Sequence, residues 1–438
     1  MSLEYCDLSD IGRRRSNNQD SRAVVEPWSR EQYRRRGWLF VVADGMGAHA
    51  AGEMASDLAV KHVHLAYEKM TQRSPPLALR SSIEHANAEI HARGQSSPDL
   101  EGMGTTCTAM VIVPRGAIVG HVGDSRAYRV RGGRIEQLSK DHSLVWEMEA
   151  ARGGTVDDTA PPIPKNIITR SMGPHPEVAV DIEGPFPVEV GDVFVLCSDG
   201  LSGQVADEEI GFLAGALPPK QAAATLVGLA LVRGAPDNVT VIVARAGEKE
   251  ASRTSSRDEP WPLTDEAPAA RRPAALPWPL LAAAATSLFG SLVLFPNGEL
   301  MRDTGPLGGL LGELRVPVAW ITFGMLLLGF VIALVAALIG FLSPAQRPIR
   351  VLAAGARLGG GPYRSYDCGP TPQLLEGLVA SAESAADGLA EAERTRTLAF
   401  VSRARKHIAS REFPRAVAAA AEAIAVYARS VEASRRSG

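Results

Sequence analysis

Cysteine is scarce in this chain. The four that occur, Cys6, Cys107, Cys197 and Cys368, lie far apart and show no paired metal spacing. That excludes a disulfide scaffold and a cysteine-built zinc module. Cys107 and Cys197 sit inside apolar runs, so they read as buried thiols of a reducing compartment. An excess of one charge is missing too. Lys and Arg number 46 against 49 Asp and Glu, and the net charge of −3 gives no overall case for nucleic acid. The first residues, Met1-Ser2-Leu3-Glu4-Tyr5-Cys6-Asp7, form neither a basic nor an apolar signal region, so the N-terminal domain is expected to stay in the cytoplasm. What the chain does have is length and apolar content: 438 residues leave room for two or three modules, and 45% hydrophobic residues allow a full core.

Four aspartates carry the most information, each at a junction between an extended run and a turn. Asp20 closes Gly12 to Asp20 (Gly-Arg-Arg-Arg-Ser-Asn-Asn-Gln-Asp). Asp44 ends Leu-Phe-Val-Val-Ala-Asp and opens Gly45-Met46-Gly47. Asp199 ends Val-Phe-Val-Leu-Cys-Ser-Asp before Gly200, and Asp237 precedes Asn238 and Val-Thr-Val-Ile-Val. An apolar β-rich run ending in Asp-Gly lifts a carboxylate to the rim of a sheet, where the backbone can turn sharply. Singly, such pairs are ordinary turns. Converging, they would repel one another unless a cation neutralised them, and oxygen-only ligands select hard ions such as Mg²⁺ or Mn²⁺.

These aspartates belong to an ordered series. It runs Gly12-x-x-Arg15-x-x-Asn18-Gln19-Asp20, Val42-Ala43-Asp44-Gly45-Met46-Gly47, Gly102-Met103-Gly104-Thr105-Thr106 and Val122-Gly123-Asp124-Ser125-Arg126. Lys140-Asp141-His142-Ser143, Thr169-Arg170-Ser171-Met172-Gly173, Ser198-Asp199-Gly200-Leu201 and Asp237-Asn238-Val239-Thr240 follow. The series resembles the metal-dependent protein phosphatase family of type 2C in its bacterial form, over residues 3 to about 246. The resemblance implies an α+β fold, a central sandwich of two antiparallel β-sheets flanked by helices in α-β-β-α layers. It also implies hydrolysis of phosphoserine and phosphothreonine in proteins, with two Mn²⁺ or Mg²⁺ ions as cofactors.

By position, Asp44 matches the carboxylate that bridges the two ions, and the Gly45 carbonyl completes the second ion's shell. Asp199 and Asp237 match the other ligands of the first ion. Asp20 matches an acidic residue that reaches the metals through water, and Asp124 the ligand of a weaker third ion. Phosphoryl transfer needs mainly in-line positioning and charge neutralisation. Arg15 suits that task, because a guanidinium forks onto two phosphate oxygens as a lysine cannot. Only its register singles it out, since Arg13 and Arg14 precede it. Two departures stand out. Gln19 replaces a frequent glutamate, which should weaken the second ion, and Met46 stands where animal members carry a histidine proposed as general acid. Gly102 to Thr106 reads as a close backbone approach, not a phosphate cradle. Ser143 to Thr169 resembles the family's flap.

Beyond Ala246 the chain changes character. Residues 247–273 are charged and rich in Ser and Pro, as a linker would be. Two uncharged stretches follow, Ala274 to Phe295 and Val316 to Leu342, each long enough to span a bilayer core. The first, with its run of Ala and its early prolines, also suits a re-entrant or interfacial segment. Arg271 and Arg272 before the pair, and Arg347, Arg350 and Arg357 after it, place both flanks in the cytoplasm. Residues 343–372 read as a juxtamembrane connector and 373–438 as a helical hairpin, with Leu398, Val401, Ala404 and Ile408 on one face and Val417, Ala420, Ile424 and Tyr427 on the other. Its small-residue surface suggests self-association. The expectation is a membrane-anchored serine/threonine phosphatase opposing bacterial-type Ser/Thr kinases. The rival is a phosphatase-like scaffold that binds phosphoproteins without turning them over.

Overall fold

Apolar side chains alternate between two destinations along the strands, and that alternation sets the layers. The computed structural model describes residues 2–47, 51–151, 167–247, 260–264 and 350–437, with scattered positions between 282 and 335. The chain begins with β1 (Leu3–Asp10), β2 (Asp20–Val25), α1 (Arg30–Arg35) and β3 (Trp38–Met46). A helical pair follows, α2 (Ala51–Lys69) and α3 (Pro75–Gly94). Then come β4 (Gly104–Thr105), β5 (Cys107–Val113), β6 (Gly116–Val122), β7 (Arg126–Arg131), β8 (Arg134–Gln137) and α4 (Leu144–Ala151). Next are β9 (Asp181–Phe186), β10 (Val193–Cys197), α5 (Asp199–Ser202), α6 (Asp207–Ala216), α7 (Pro219–Val232) and β11 (Val239–Ala246). One sheet runs β2-β3-β5-β6-β9, with β4 paired to β3, and its neighbours are antiparallel. In the other, β1, β11, β10, β7 and β8 lie side by side, also antiparallel.

In β3, Trp38, Phe40 and Val42 face the other sheet and meet Phe194, Leu196 and Ile242. The intervening Leu39, Val41 and Ala43 face α2 and α3, where Ala55, Ala59, Ile83 and Ile90 cover them. β10 does the same from its own side: Val193, Val195 and Cys197 turn outward to α6 and α7. Period-two strands with both faces apolar can only be buried on both sides. The result is the expected sandwich of two antiparallel sheets flanked by helices. Cys107 and Cys197 are free and buried, and burial pushes both thiols up to about 12.

The chain after Ala246 differs from expectation in several places. Within the stretch read as a linker, Trp261 and Pro262 form β12, paired with β13 (Val351–Leu352). Trp261 packs against the α2–α3 layer, with the Arg115 guanidinium 4.3 Å from its ring centroid. The stretch read as a connector supplies β14 (Arg364–Asp367), which pairs antiparallel with β8 and becomes the edge of a six-stranded sheet. The tail holds three helices, not two: α8 (Pro372–Ala386), α9 (Glu391–Ala409) and α10 (Phe413–Ser437). The turn at Asp387-Gly388-Leu389 separates the first two; a lone glycine in an Ala-rich run gave little sign of it. The apolar faces of α9 and α10 are also not free. Val401, Ala404, Ile408, Val417, Ala420, Ile424 and Tyr427 join one core with Leu226, Leu229 and Ala230 of α7, while Leu398 stays exposed. Gly228 makes the approach possible, since a Cβ there would lie 2.7 Å from Ile424 Cγ2.

By its contacts the chain divides into one unit of Met1–Leu263 with Val351–Gly438 and another of Thr264–Arg350. The two expected membrane spans, 274–295 and 316–342, lie largely outside the described residues. Among the described residues no helix is long and apolar enough to cross a membrane.

Candidate active site

Strand pairing brings the first two carboxylates together: Asp20 on β2 stands directly opposite Asp44 on β3. The other sheet supplies the rest from its chain turns. Asp199 follows the end of β10 and opens α5, and Asp237 immediately precedes Asn238 and β11. Asp124 sits in the turn between β6 and β7. There Gly123 takes a φ of +112°, and a Cβ on it would strike Thr106. Such a conformation is open to glycine at little cost.

The backbone around Asp44 is held rigidly. Its N–H donates to Thr106 Oγ1 (2.9 Å), and its carbonyl accepts from Thr105 Oγ1 (2.9 Å) and from the Thr106 N–H (2.9 Å). The Gly102–Thr106 stretch therefore does make a close backbone approach, and its threonines fix the peptide that carries the central aspartate. Ser198 Oγ donates to Asp20 Oδ2 (2.8 Å) and accepts from the Thr240 N–H (3.0 Å). Asn238 accepts from the Gln19 N–H (2.8 Å) and donates to the Ile11 and Asn17 carbonyls. Ser198, Thr105, Thr106 and Asn238 were present in the motifs, but nothing in a sequence gives their partners. Gln19 donates weakly to the Gly47 carbonyl (3.4 Å) and packs against Gly52, where a Cβ would come within 2.9 Å of its amide.

The electrostatics are lopsided. Burial, and then the charges of Asp20, Asp199, Asp124 and Asp237, hold Asp44 well above the usual carboxylate range. Burial raises Asp20 to about 7 despite the hydrogen bond from Ser198, with Asp199 and Asp237 adding to the rise. Asp124 reaches about 7 through burial, Asp199 and Asp141. Asp199 is raised by burial and by Asp237. Against these charges the Arg15 guanidinium donates to Asp237 Oδ2 at 2.7 Å. That hydrogen bond, and the charges of Asp237, Asp44 and Asp199, raise Arg15 further.

The donor set suits a cation. Asp20 Oδ1, Asp124 Oδ1 and Asp199 Oδ1 are buried with no hydrogen-bond partner, an expensive state for an ionised carboxylate. Oxygen-only, strongly anionic surroundings fit Mg²⁺ or Mn²⁺. The carboxylates do not close into a cage for one ion. Among the described residues, the group of three whose donor atoms all lie within 4.8 Å of one another is His62, His85 and Glu89 on the outer helices. The aspartate oxygens are more widely spread than that.

A protein phosphatase 2C family model matches residues 12–227. Protein phosphatase PhpP of Streptococcus pneumoniae is 35% identical over 254 residues, 57% of this chain and 100% of that protein. Serine/threonine phosphatase stp of Listeria monocytogenes is 32% identical over 253 residues, 57% of this chain and 98% of that one. Among solved structures, the Mycobacterium tuberculosis serine/threonine phosphatase PstP/Ppp aligns with a TM-score of 0.50 at 35% identity, covering 56% of this chain and 99% of that chain. These matches leave more than two-fifths of the chain outside. Over the part that they cover, the chain belongs to the protein phosphatase 2C family of metal-dependent serine/threonine protein phosphatases.

Proposed function

We propose that the aspartate cluster is the metal centre of this phosphatase and that Arg15 receives the substrate phosphate. In this reading Asp44 and the Gly45 carbonyl, with Asp199 and Asp237, would hold two ions; Asp20 would act through water, and Asp124 would hold a weaker third ion. The observation that carries it is the convergence of buried carboxylates that raise one another's pKa and leave three oxygens unsatisfied. When bound, the ions would activate a water and neutralise charge on the phosphoryl group.

The chain's own residues supply the rest. Thr105 and Thr106 pin the Asp44 peptide, which fixes the point on the backbone from which the carboxylate reaches into the site. Ser198 leaves Asp20 one oxygen free and fixes the other. Arg15 lies half exposed beside Asp237, where an arriving phosphate dianion can compete for its guanidinium. The exchange trades one carboxylate for two phosphoryl oxygens, the fork geometry that a guanidinium favours. Titration of the full chain with Mn²⁺ tests the assignment. The unsubstituted protein should bind at least two ions, and Asp44→Asn should lose tight binding of both. Unchanged stoichiometry and affinity in Asp44→Asn would contradict it.

We further infer that the 274–342 segment tethers this catalytic unit to a membrane. The apolar side chains at the described positions of that segment support the reading: Phe289, Met325, Leu328, Ile332 and Val335 are all exposed, as lipid-facing residues would be. On that reading the substrates include phosphoproteins at the same membrane, Ser/Thr kinases among them. Fractionation of cells expressing the full chain checks it. Membrane association resistant to high salt and carbonate is expected, and recovery in the soluble fraction would refute the tether.

A further inference from the structure

A short stretch of the tail reaches the mouth of the active site. Leaving β13, the chain crosses the open edge of the sandwich and bonds to both sheets. Leu358 exchanges backbone hydrogen bonds with Gly184 of β9, and β14 pairs with β8. Between them, Tyr363 Oη and the Gly361 N–H both donate to the buried carboxylate of Glu183. So anchored, the tail presents Arg364 to α4.

Helix α4 needs such a partner. None of its residues from 144 to 150 is buried, so it has no hydrophobic anchor of its own in the core. Among the described residues its attachments are few: the Leu144 N–H donates to the Ile167 carbonyl (2.9 Å) and Thr169 Oγ1 donates to Glu147 (2.7 Å). The tail adds three more. The Arg364 guanidinium pairs with Glu149 at 2.5 Å and stacks 4.0 Å from the centroid of the Trp146 ring, and Tyr363 meets the same ring edge-on at 6.1 Å. Trp146, Glu149 and Arg364 line a cleft of about 310 Å³ whose other wall holds Asp124 and Asp199. A polypeptide delivering its phosphate to those aspartates from this side passes α4; a small aryl phosphate has nothing to lay there.

We propose that Arg364 is a positioning residue for phosphoprotein substrates, fixing α4 as one wall of the cleft through Glu149 and Trp146. The proposal rests on the aspartate cluster being the catalytic site. Arg364 lies outside the residues 12–227 matched by the family model, while Trp146 and Glu149 lie within them. Ion pairing and guanidinium stacking at this exposure predict a loss of roughly three- to tenfold on removal. It should fall on KM for a folded or peptide substrate and not on the chemical step.

The test is steady-state kinetics of the full chain with Mn²⁺ on two substrates, a phosphothreonine peptide and p-nitrophenyl phosphate. Arg364→Ala should raise the peptide KM roughly three- to tenfold while kcat on p-nitrophenyl phosphate stays within about twofold. Glu149→Gln, which keeps the shape of α4 and removes the ion pair, should move in the same direction. Arg364→Lys, which keeps the charge and loses the planar stack, should fall between. A parallel decline on both substrates, or an unchanged peptide KM in both Arg364→Ala and Glu149→Gln, overturns the proposal. Absence of metal-dependent turnover by the unsubstituted chain overturns the reading of the site and the proposal with it.

Discussion

Replacing Asp44 with asparagine should abolish turnover and, in chelator, make the protein more stable. The two effects point in opposite directions because they arise from different states of the site. With ions bound, the Asp44 carboxylate is attractive; without them it can ionise only against its burial and the charges of Asp20, Asp199, Asp124 and Asp237, which hold it well above the usual carboxylate range. The scale follows from Asp20, whose carboxyl rises from an ordinary 3.8 to about 7. At 1.36 kcal/mol per pH unit, keeping it ionised at neutral pH costs about 4 kcal/mol. Asp44 is shifted in the same direction by burial and by its neighbours, and asparagine, with no proton to lose, escapes that cost; set against the hydrogen bonding it gives up, the gain is about 1–2 kcal/mol. For a unit of this size that is roughly 1–3 °C in melting temperature. The assay is thermal unfolding of both proteins at pH 8 with EDTA, repeated with saturating Mn²⁺. The variant should melt higher in EDTA and gain much less than the unsubstituted protein from Mn²⁺. A lower melting temperature for Asp44→Asn in EDTA would refute the reasoning, because a structural aspartate loses hydrogen bonds when neutralised and gains nothing.

Three further outcomes follow from the same site and its support. Without divalent ions, Asp20 and Asp124 keep their protons up to about pH 7 when folded but release them near 4 when unfolded. Their contribution to stability is therefore fully present below about pH 4 and lost as pH rises through 7. Melting temperatures in EDTA should fall from pH 5.5 to 8.5, and a flat or rising profile would contradict the clustering. Arg15→Lys should raise KM for a phosphopeptide about tenfold or more, because a point charge replaces a fork; equal KM values would remove Arg15 from phosphate binding. Gly228→Val places methyl groups where a Cβ already lies 2.7 Å from Ile424. It should cost about 1–3 kcal/mol and open α8–α10 to limited proteolysis, and an unchanged cleavage pattern would mean that the tail does not pack on α7.

The sandwich and the ring of aspartates were legible because each rests on a local pattern. Runs such as Leu-Phe-Val-Val-Ala-Asp state a strand, its two buried faces and a rim carboxylate within a few residues. The bonds that hold the site were not. Ser198 to Asp20 spans 178 residues and Asn238 to Gln19 spans 219, and a serine in a motif does not declare its acceptor. Strand β14 escaped because Arg-Ser-Tyr-Asp carries no apolar alternation; its half-exposed residues add an edge by backbone pairing alone. Helices α9 and α10 showed their apolar faces plainly. Their partner, α7, lies some 200 residues earlier in a run whose apolar side chains point all round, so it offered no visible vacancy. The Gly228 that admits Ile424 reads in sequence as a flaw in a helix.

The most direct test of the central claim is phosphate release from a phosphothreonine peptide by the full chain, with Mn²⁺, with Mg²⁺ and with chelator, beside Asp199→Asn. The account predicts release that requires a divalent ion and is lost in Asp199→Asn while the fold, judged by circular dichroism, is kept. Release that persists in chelator, or in a folded Asp199→Asn protein, would contradict it.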